Sequence, residues 1–149
     1  MSRNARAMAC SPQTVFDVLA DGWLYPCWVV GASRMRNVDK AWPAQSAALH
    51  HSVGVWPLLI DDATVSLLWH PPRRATFRAK GWPLGEARVT IEVRPSASGC
   101  VVRIQEEPTS GPGKWVPRVL TEPMLYVRNR ETLQRLAFLC EGREENSEP

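Results

Sequence analysis

The sequence predicts an α+β fold in which a curved antiparallel sheet of about seven strands wraps around one long C-terminal helix. Two observations support this prediction. Apolar and polar residues alternate in a series of short segments between residues 33 and 109, and residues 121–140 contain no glycine. Alternation with a period of two is typical of half-buried strands, whereas apolar residues three and four positions apart favour a helix. The predicted order is strand, two helices, six strands and a long helix.

The N-terminal segment is predicted to form one strand, over Arg6 to Cys10, and then two helices. Ser11 and Pro12 favour a helix start, because a hydroxyl can cap the first turn and proline is tolerated at the first helical position. Gly22 is expected to end this helix. A shorter helix is predicted over Tyr25 to Val30.

The middle of the chain is predicted to be a meander of six strands. The clearest strand is Glu86 to Arg94, in which four apolar side chains alternate strictly with charged and polar ones. Pro71-Pro72 and the segment Ser96 to Gly99 are predicted turns. The other strands are expected near residues 33–38, 47–55, 65–69, 75–80 and 100–105. Predicted inward-facing residues include Leu49, His51, Val53, Val65, Leu67, Trp69, Cys100, Val102 and Ile104.

The last segment, Thr121 to Cys140, is predicted to be a helix of about 30 Å, long enough to cover the apolar face of the sheet. Met124, Val127 and Phe138 fall on the side opposite its main apolar face, so we expect this helix to be covered on more than one side. We expect one domain over residues 1–142 and a flexible acidic tail over residues 143–149. The main face comprises Tyr126, Asn129, Leu133, Leu136, Ala137 and Cys140.

Composition excludes several classes of function. With 44% hydrophobic and 22% charged residues among 149, the chain is expected to be a globular, cytoplasmic protein. A net charge of +3 carried by scattered basic residues does not favour nucleic-acid binding. The four cysteines are widely separated, so neither zinc nor another cofactor is expected. No segment reaches the ~20 apolar residues of a membrane helix, so stable membrane insertion is not expected.

The segments SPQTVFDVLADGWLYPCWVVGA and YVRNRETLQRL, in this order of elements, resemble the helix-grip superfamily (SRPBCC, START-like). That superfamily includes START domains, birch-pollen-allergen-like proteins, and polyketide cyclase/dehydrase and lipid-transport proteins. The resemblance covers about Asn4 to Gly142. It implies a hydrophobic pocket between the sheet and the long helix, in which members bind lipids, sterols, polyketides or plant hormones.

The expected lining of that pocket is mostly aromatic and aliphatic, with four polar side chains that could orient a ligand. Among these, Glu106 follows the inward row of its strand, or else reaches solvent at the rim of the sheet. His51 could contact a ligand or be a core histidine with its own partners. Tyr126 and Asn129 could meet a ligand, a water molecule or a loop backbone. The full predicted set is Trp28, His51, Val53, Trp69, Phe77, Val89, Ile91, Val102, Glu106, Tyr126, Asn129 and Leu133.

Three functions are compatible with these features. The first is a carrier or sensor that binds a small hydrophobic molecule such as a lipid, a polyketide or an aromatic metabolite. The second is a cyclase or dehydratase in which Glu106 or His51 moves a proton. The third is a regulator that acts through protein contacts without a ligand; a homodimer is compatible with any of the three.

Overall fold

The computed structural model describes residues 2–55, 57–81, 85–111 and 115–147. The predicted fold class is confirmed, with seven strands and a long final helix. A 3-10 turn, Gly22–Leu24, connects the first two helices. The elements are β1 (Ser2–Met8), α1 (Pro12–Ala20), α2 (Tyr25–Trp28), β2 (Ala32–Val38), β3 (Ala48–Val55), β4 (Leu58–His70), β5 (Arg74–Gly81), β6 (Gly85–Ser96), β7 (Gly99–Ser110) and α3 (Arg118–Ser147).

The seven strands form one antiparallel sheet in the order β1-β7-β6-β5-β4-β3-β2. Strands β2 to β6 each pair with the next strand in sequence, which confirms the predicted meander. Strand β1 pairs with β7 at the far edge, with Ser2 opposite Glu106 and Met8 opposite Cys100. The first and last strands therefore lie side by side, and α3 packs over them.

The start of α1 follows the sequence prediction. The side-chain oxygen of Ser11 accepts a hydrogen bond from the backbone N–H of Thr14 at 3.2 Å, and Pro12 occupies the first turn. The helix ends at Ala20, and its buried face joins the core. That face consists of Thr14, Val15, Phe16, Val18 and Leu19.

Strand β4 departs from the predicted alternation. Thr64 and Ser66 are buried, whereas Val65 and Leu67 are only half-buried. The pairing of β4 with β5 shifts between Ser66 and Leu68, which is a bulge, and Trp69 then lies opposite the buried Ala75. An extra residue in one strand reverses which side chains face inward. The prediction that Val65, Leu67 and Trp69 share one inward row is therefore wrong.

The inward face of α3 differs from the predicted face at one position. Leu125 is buried, whereas Tyr126 is 52% exposed, so the prediction that Tyr126 faces the sheet is wrong. The helix buries a single face, and Tyr126 is rotated away from the centre of that face. Met124, Val127 and Phe138 are exposed, so this chain alone does not cover the opposite side. The buried face comprises Leu125, Asn129, Thr132, Leu133, Leu136, Ala137 and Cys140.

The acidic residues before Ser147 do not form a flexible tail, because α3 continues to Ser147. Glu141 accepts a hydrogen bond from the backbone N–H of Ala9 at 3.0 Å, and Glu144 accepts one from the hydroxyl of Thr14. These contacts hold the end of α3 against β1 and α1. The prediction of a flexible tail from residue 143 is corrected for residues 143–147.

No helix within the described ranges combines the length and apolar character that a membrane span requires.

Two glycines give a matched test of this packing. Gly99 has φ +151°, and a Cβ there would overlap the carbonyl oxygen of Met8 and lie 2.9 Å from the backbone nitrogen of Cys10. Gly142 lies inside α3 with nothing within 4 Å of its Cβ position. Gly99→Ala should lower the free energy of unfolding by about 2 kcal/mol or more, because backbone atoms cannot move aside easily.

Gly142→Ala should instead raise stability by about 1 kcal/mol, because alanine is the better helix former. Urea unfolding followed by circular dichroism measures both variants. Equal stability of Gly99→Ala and the wild type would contradict the close approach of β1 and β7.

Candidate functional site

A buried polar cluster lies between the sheet and the helices. Thr64 of β4 is its centre: the Thr64 Oγ1 atom is 2.9 Å from His51 Nε2 and 2.8 Å from the Tyr25 hydroxyl. His51 lies on β3 and is 2% exposed, and Tyr25 and Thr64 are also buried. Three elements therefore contribute one hydrogen-bonded chain to the interior.

The short helix α2 supplies the aromatic part of the cluster. The ring of Tyr25 lies 5.0 Å from the ring of His51 and 5.4 Å from that of Trp28, which packs edge-on at 75°. One turn of helix places Tyr25 and Trp28 on the same side, because residues three positions apart are neighbours. The backbone N–H of Val30 also donates to the Thr132 hydroxyl of α3 at 3.4 Å. Helix α2 thus links the histidine of the sheet to the last helix.

Glu106 points into the interior, as one of the two sequence alternatives proposed. It is buried, and its carboxylate forms an ion pair with the guanidinium of Arg128 on α3. The side chain of Arg128 is 36% exposed, so this cation connects the interior with solvent. The alternative that Glu106 reaches solvent at the rim is wrong. A buried carboxylate requires such a partner, because desolvating an unpaired charge costs several kcal/mol.

The charges of this ion pair affect the pKa of Tyr25 in the cluster. Burial raises the pKa of Tyr25 to about 12. The hydrogen bond with Thr64 and the positive charge of Arg128 act in the opposite direction, and the negative charge of Glu106 adds to the increase. Both charges therefore act on the phenol, which stays protonated at neutral pH.

Three buried side-chain nitrogen atoms have no hydrogen-bond partner in the part of the chain that the structure describes. They are Nε of Arg6, Nδ1 of His51 and Nδ2 of Asn129. Asn129 lies on the inward face of α3 and is 2% exposed. Buried polar atoms in proteins nearly always have a partner, so each of these atoms is expected to bind a water molecule, an ion or a ligand.

The structure places most of the apolar residues predicted from sequence in the interior. Trp69 and Val89 are half-buried against the core, and the Trp69 ring is 5.1 Å from that of Phe16. The side chain of Val53 lies outside the described part of the structure, and Tyr126 points away from the sheet. The predicted residues that are buried are Trp28, His51, Phe77, Ile91, Val102, Glu106, Asn129 and Leu133.

Three residues of the cluster were missed by sequence reasoning. Thr64 precedes the predicted strand at 65–69 and was not assigned to it. Tyr25 lies in a short helix whose direction no periodicity defines. Arg128 lies off the buried apolar face of α3, so the helical pattern does not indicate a role in the interior. Its acidic partner, Glu106, is known only from the position of that residue on the sheet.

A groove of about 450 Å³ lies elsewhere, between the start of α1 and the β5–β6 pair. It is open to solvent and lined by apolar and charged side chains, and two of the lining residues, Arg74 and Glu92, form an ion pair of 2.7 Å. It contains none of the predicted lining residues, so the buried cluster remains the candidate site. The groove is lined by Pro12, Pro72, Arg73, Arg74, Glu92, Val93, Arg94 and Pro95.

The sheet wrapped around α3, with buried polar groups between them, defines a helix-grip protein. The chain belongs to the family described as polyketide cyclase / dehydrase and lipid transport, whose model matches residues 3–141. None of the curated proteins searched matches the chain in sequence. The resemblance inferred from the sequence is therefore confirmed at the level of the family.

Solved structures share the fold at low sequence identity. Protein NE0264 from Nitrosomonas europaea is 19% identical with a TM-score of 0.71, covering 95% of this chain and 94% of that one. Protein CV1439 from Chromobacterium violaceum is 18% identical with a TM-score of 0.68, covering 93% and 96%. The di-domain ARO/CYC protein StfQ, from the steffimycin biosynthetic pathway, is 12% identical with a TM-score of 0.70. That match covers 95% of this chain and 50% of StfQ.

The buried histidine gives a pH test of the cluster. Burial lowers the pKa of His51 from 6.5; the nearby Asp62 opposes this effect, and Arg36 and His50 reinforce it. The unfolded chain therefore binds a proton more readily than the folded one. The stabilising effect of a neutral His51 should be complete above about pH 6.5 and should be lost progressively as the pH falls below it.

The slope from this one proton cannot exceed about 1.4 kcal/mol per pH unit. Urea unfolding between pH 8 and pH 5 measures it, and His51→Gln should flatten the curve. His70→Gln, at an exposed position of the same sheet, is the matched control and should retain the slope. An unchanged slope in His51→Gln would contradict the assignment.

Proposed function

We propose that the chain binds a small hydrophobic molecule, such as a lipid, a polyketide or an aromatic metabolite, between the sheet and α3. It would act as a carrier or sensor of that molecule. Membership of a family described by polyketide cyclase/dehydrase and lipid-transport proteins supports a ligand of this class. The location rests on the inward side chains of β3, β7 and α3.

The observation that carries the proposal is the set of three unpartnered buried nitrogen atoms, on Arg6, His51 and Asn129. Sites for small ligands are mostly apolar and contain a few convergent polar groups that fix orientation. Here Tyr25 of the polar cluster belongs to the same hydrophobic core as Trp28, Ile91 and Leu133. A ligand would bury apolar surface against these side chains at ~25 cal/mol per Å², which can support micromolar affinity after the costs of association.

Tryptophan fluorescence gives a test with an internal control. Trp28 is buried and packs on Tyr25, whereas Trp23 is 58% exposed. Titration with a panel of fatty acids, polyketides and aromatic ketones should give a saturable change for at least one class, with a dissociation constant near the micromolar range.

Trp28→Phe should remove most of that change, because Trp28 contacts the cluster directly. Trp23→Phe should retain it. Absence of saturable binding across the whole panel, by fluorescence and by calorimetry, would contradict the proposed function.

The enzymatic alternative, a cyclase or dehydratase, is favoured by one feature of the site. His51 is neutral, has an unpartnered Nδ1 atom and is connected through Thr64 to Tyr25, so it could exchange a proton with a bound molecule. Glu106 is less suited to this role because Arg128 already occupies its carboxylate. An enzyme would lose turnover in His51→Gln while retaining ligand binding, whereas a carrier would change only in affinity.

We also propose that two copies of the chain associate through the outer side of α3. Leu120, Met124, Val127 and Phe138 are between 52% and 67% exposed. At 3.6 residues per turn they lie within a sector of about 60°, opposite the buried face. Glu131, paired with Arg135, lies in the same sector between Val127 and Phe138. Exposed apolar side chains grouped in this way are typical of interaction sites.

Self-association suits this exposed stripe (Leu120, Met124, Val127 and Phe138) because the side chains at its two ends complement each other. If two helices packed antiparallel about Glu131, Met124 would face the partner's Phe138. Leu120 would then face the partner's Gly142, where the bare backbone leaves open space. The four side chains supply part of the ~800 Å² per partner that a standard interface buries, so a weak dimer is expected.

Sedimentation velocity over a concentration series tests this arrangement. The wild type should show concentration-dependent dimerisation, and Met124→Glu should remain monomeric because it buries an unpaired charge against the partner's Phe138. Asn146→Glu, an exposed position of α3 outside the stripe, should behave like the wild type. A wild type that stays monomeric at every concentration would overturn the proposal.

A further inference from the structure

The groove of about 450 Å³ beside the start of α1 carries an excess of positive charge. Its lining includes three arginines, Arg73, Arg74 and Arg94, but only one carboxylate, that of Glu92. Arg103 of β7 lies directly opposite Glu92, on the face of the sheet turned away from α3. Four arginines that are separated in the sequence therefore surround a single acidic residue in the fold.

The charge of Glu92 is already matched by one of these arginines. Arg74 lies opposite Glu92 across β5 and β6, and its guanidinium donates a hydrogen bond to the carboxylate at 2.7 Å. Among the described residues, the exposed guanidiniums of Arg73 and Arg94 have no acidic partner. The residue opposite Arg94 on β7 is Val101, which offers no charge. Two cations of the groove are therefore left without a counter-ion.

Backbone hydrogen bonds hold Arg73 beside β6. The N–H of Arg73 donates to the carbonyl of His70 at 3.0 Å, which closes the turn before β5. The carbonyl of Arg73 accepts a bond from the N–H of Val93 at 2.8 Å, and Val93 directly precedes Arg94. Neighbouring strands lie about 4.8 Å apart, so these two long side chains start close enough to bind one anion together.

The rest of the lining is apolar and consists of Pro12, Pro72, Pro95 and Val93. Proline has no N–H and offers its ring as apolar surface. The volume of the groove lies within the range of small-molecule sites, about 300–1,000 Å³, so a bare anion would fill only part of it. The lining therefore suits a molecule that combines an anionic group with an apolar body.

We propose that this groove binds a phosphate monoester with an apolar body, whose phosphate oxygens accept hydrogen bonds from the guanidiniums of Arg73 and Arg94. Arginine binds phosphate through two parallel hydrogen bonds, and two guanidiniums match the charge of about −2 that a monoester carries at neutral pH. Arg74 is a positioning residue, because its pairing with Glu92 reduces the repulsion between that carboxylate and the ligand. The site shares no residue with the proposed interior site, so each can fail independently of the other.

A titration followed by nitrogen-15 NMR measures binding at the groove itself. The probes are phenyl phosphate, its methyl diester methyl phenyl phosphate, inorganic phosphate and phenol. Phenyl phosphate should shift the amide signals of Arg73, Val93 and Arg94, and should bind about tenfold more tightly than any of the other three. Equal affinity for the diester, for inorganic phosphate or for phenol would overturn the proposal. Shifts confined to the signals of His51 and Asn129 would also overturn it, because they would indicate binding in the interior.

Variants of the lining residues give effects of opposite sign. Arg73→Gln and Arg94→Gln should each weaken the binding of phenyl phosphate by about fivefold, because each removes one charged donor. Glu92→Gln should strengthen it by about threefold, because it removes the repelling carboxylate and releases Arg74; damage to the fold would not strengthen binding. Arg78→Gln, on the same face of β5 but outside the groove, is the matched control and should leave the affinity unchanged. Unchanged affinity in both Arg73→Gln and Arg94→Gln would contradict the assignment.

A phosphate monoester can be a soluble metabolite or the headgroup of a lipid, and a second measurement distinguishes these sources. The wild type and the variants are sedimented with phosphatidylcholine vesicles that contain or lack phosphatidate. Binding to phosphatidate that is lost in Arg73→Gln and retained in Arg78→Gln would support the site with a lipid headgroup as its ligand. Binding of phenyl phosphate without binding to these vesicles would support it with a soluble ester. If neither phenyl phosphate nor phosphatidate binds, the proposal fails.

Discussion

The burial of one face of α3 against the edge formed by β1 and β7 is the contact on which the rest of the structure depends. Leu133, Leu136 and Ala137 lose almost all solvent exposure there, and each large side chain buried in this way contributes ~1.5–3 kcal/mol. Strand β1 is required for this contact because it extends the sheet beneath the helix, as the bond from Asn4 to the carbonyl of Tyr126 at 3.1 Å shows. The same contact brings Asn129 and Arg128 over the sheet.

Packing of this kind also determines how strong the hydrogen bonds within the polar cluster are. The hydroxyl of Thr64 can order His51 and Tyr25 only because all three are removed from water, where competing hydrogen bonds would be available. Helix α2 supplies Tyr25 to the cluster and packs against α3, and Val30, which follows α2, donates a hydrogen bond to Thr132 of α3. A change in the position of α3 would therefore shift α2 and alter the hydrogen bonds of the cluster.

The sequence was sufficient for the architecture but not for the details of the site. Strict alternation in β6 and the glycine-free C-terminal segment predicted the sheet and α3, because both patterns extend over many residues. The bulge in β4 and the inward direction of Thr64 depend on pairing with β5, which no local pattern encodes. The rotation of α3 that buries Leu125 instead of Tyr126 depends on how the helix meets β1. Single-residue orientation is thus fixed by tertiary contacts between distant segments.

The Glu106–Arg128 pair limits the chemistry that this interior can perform. A free buried carboxylate would be a natural proton acceptor, and the sequence alone made Glu106 a candidate for that role. Because the guanidinium of Arg128 binds the carboxylate, protonating Glu106 would also break an ion pair within a low-dielectric interior. Among the buried groups without a partner in the described structure, the imidazole of His51 and the amide of Asn129 are neutral, and the guanidinium of Arg6 is charged. The two neutral groups can hydrogen-bond to a further molecule without the desolvation cost that another buried charge would bring.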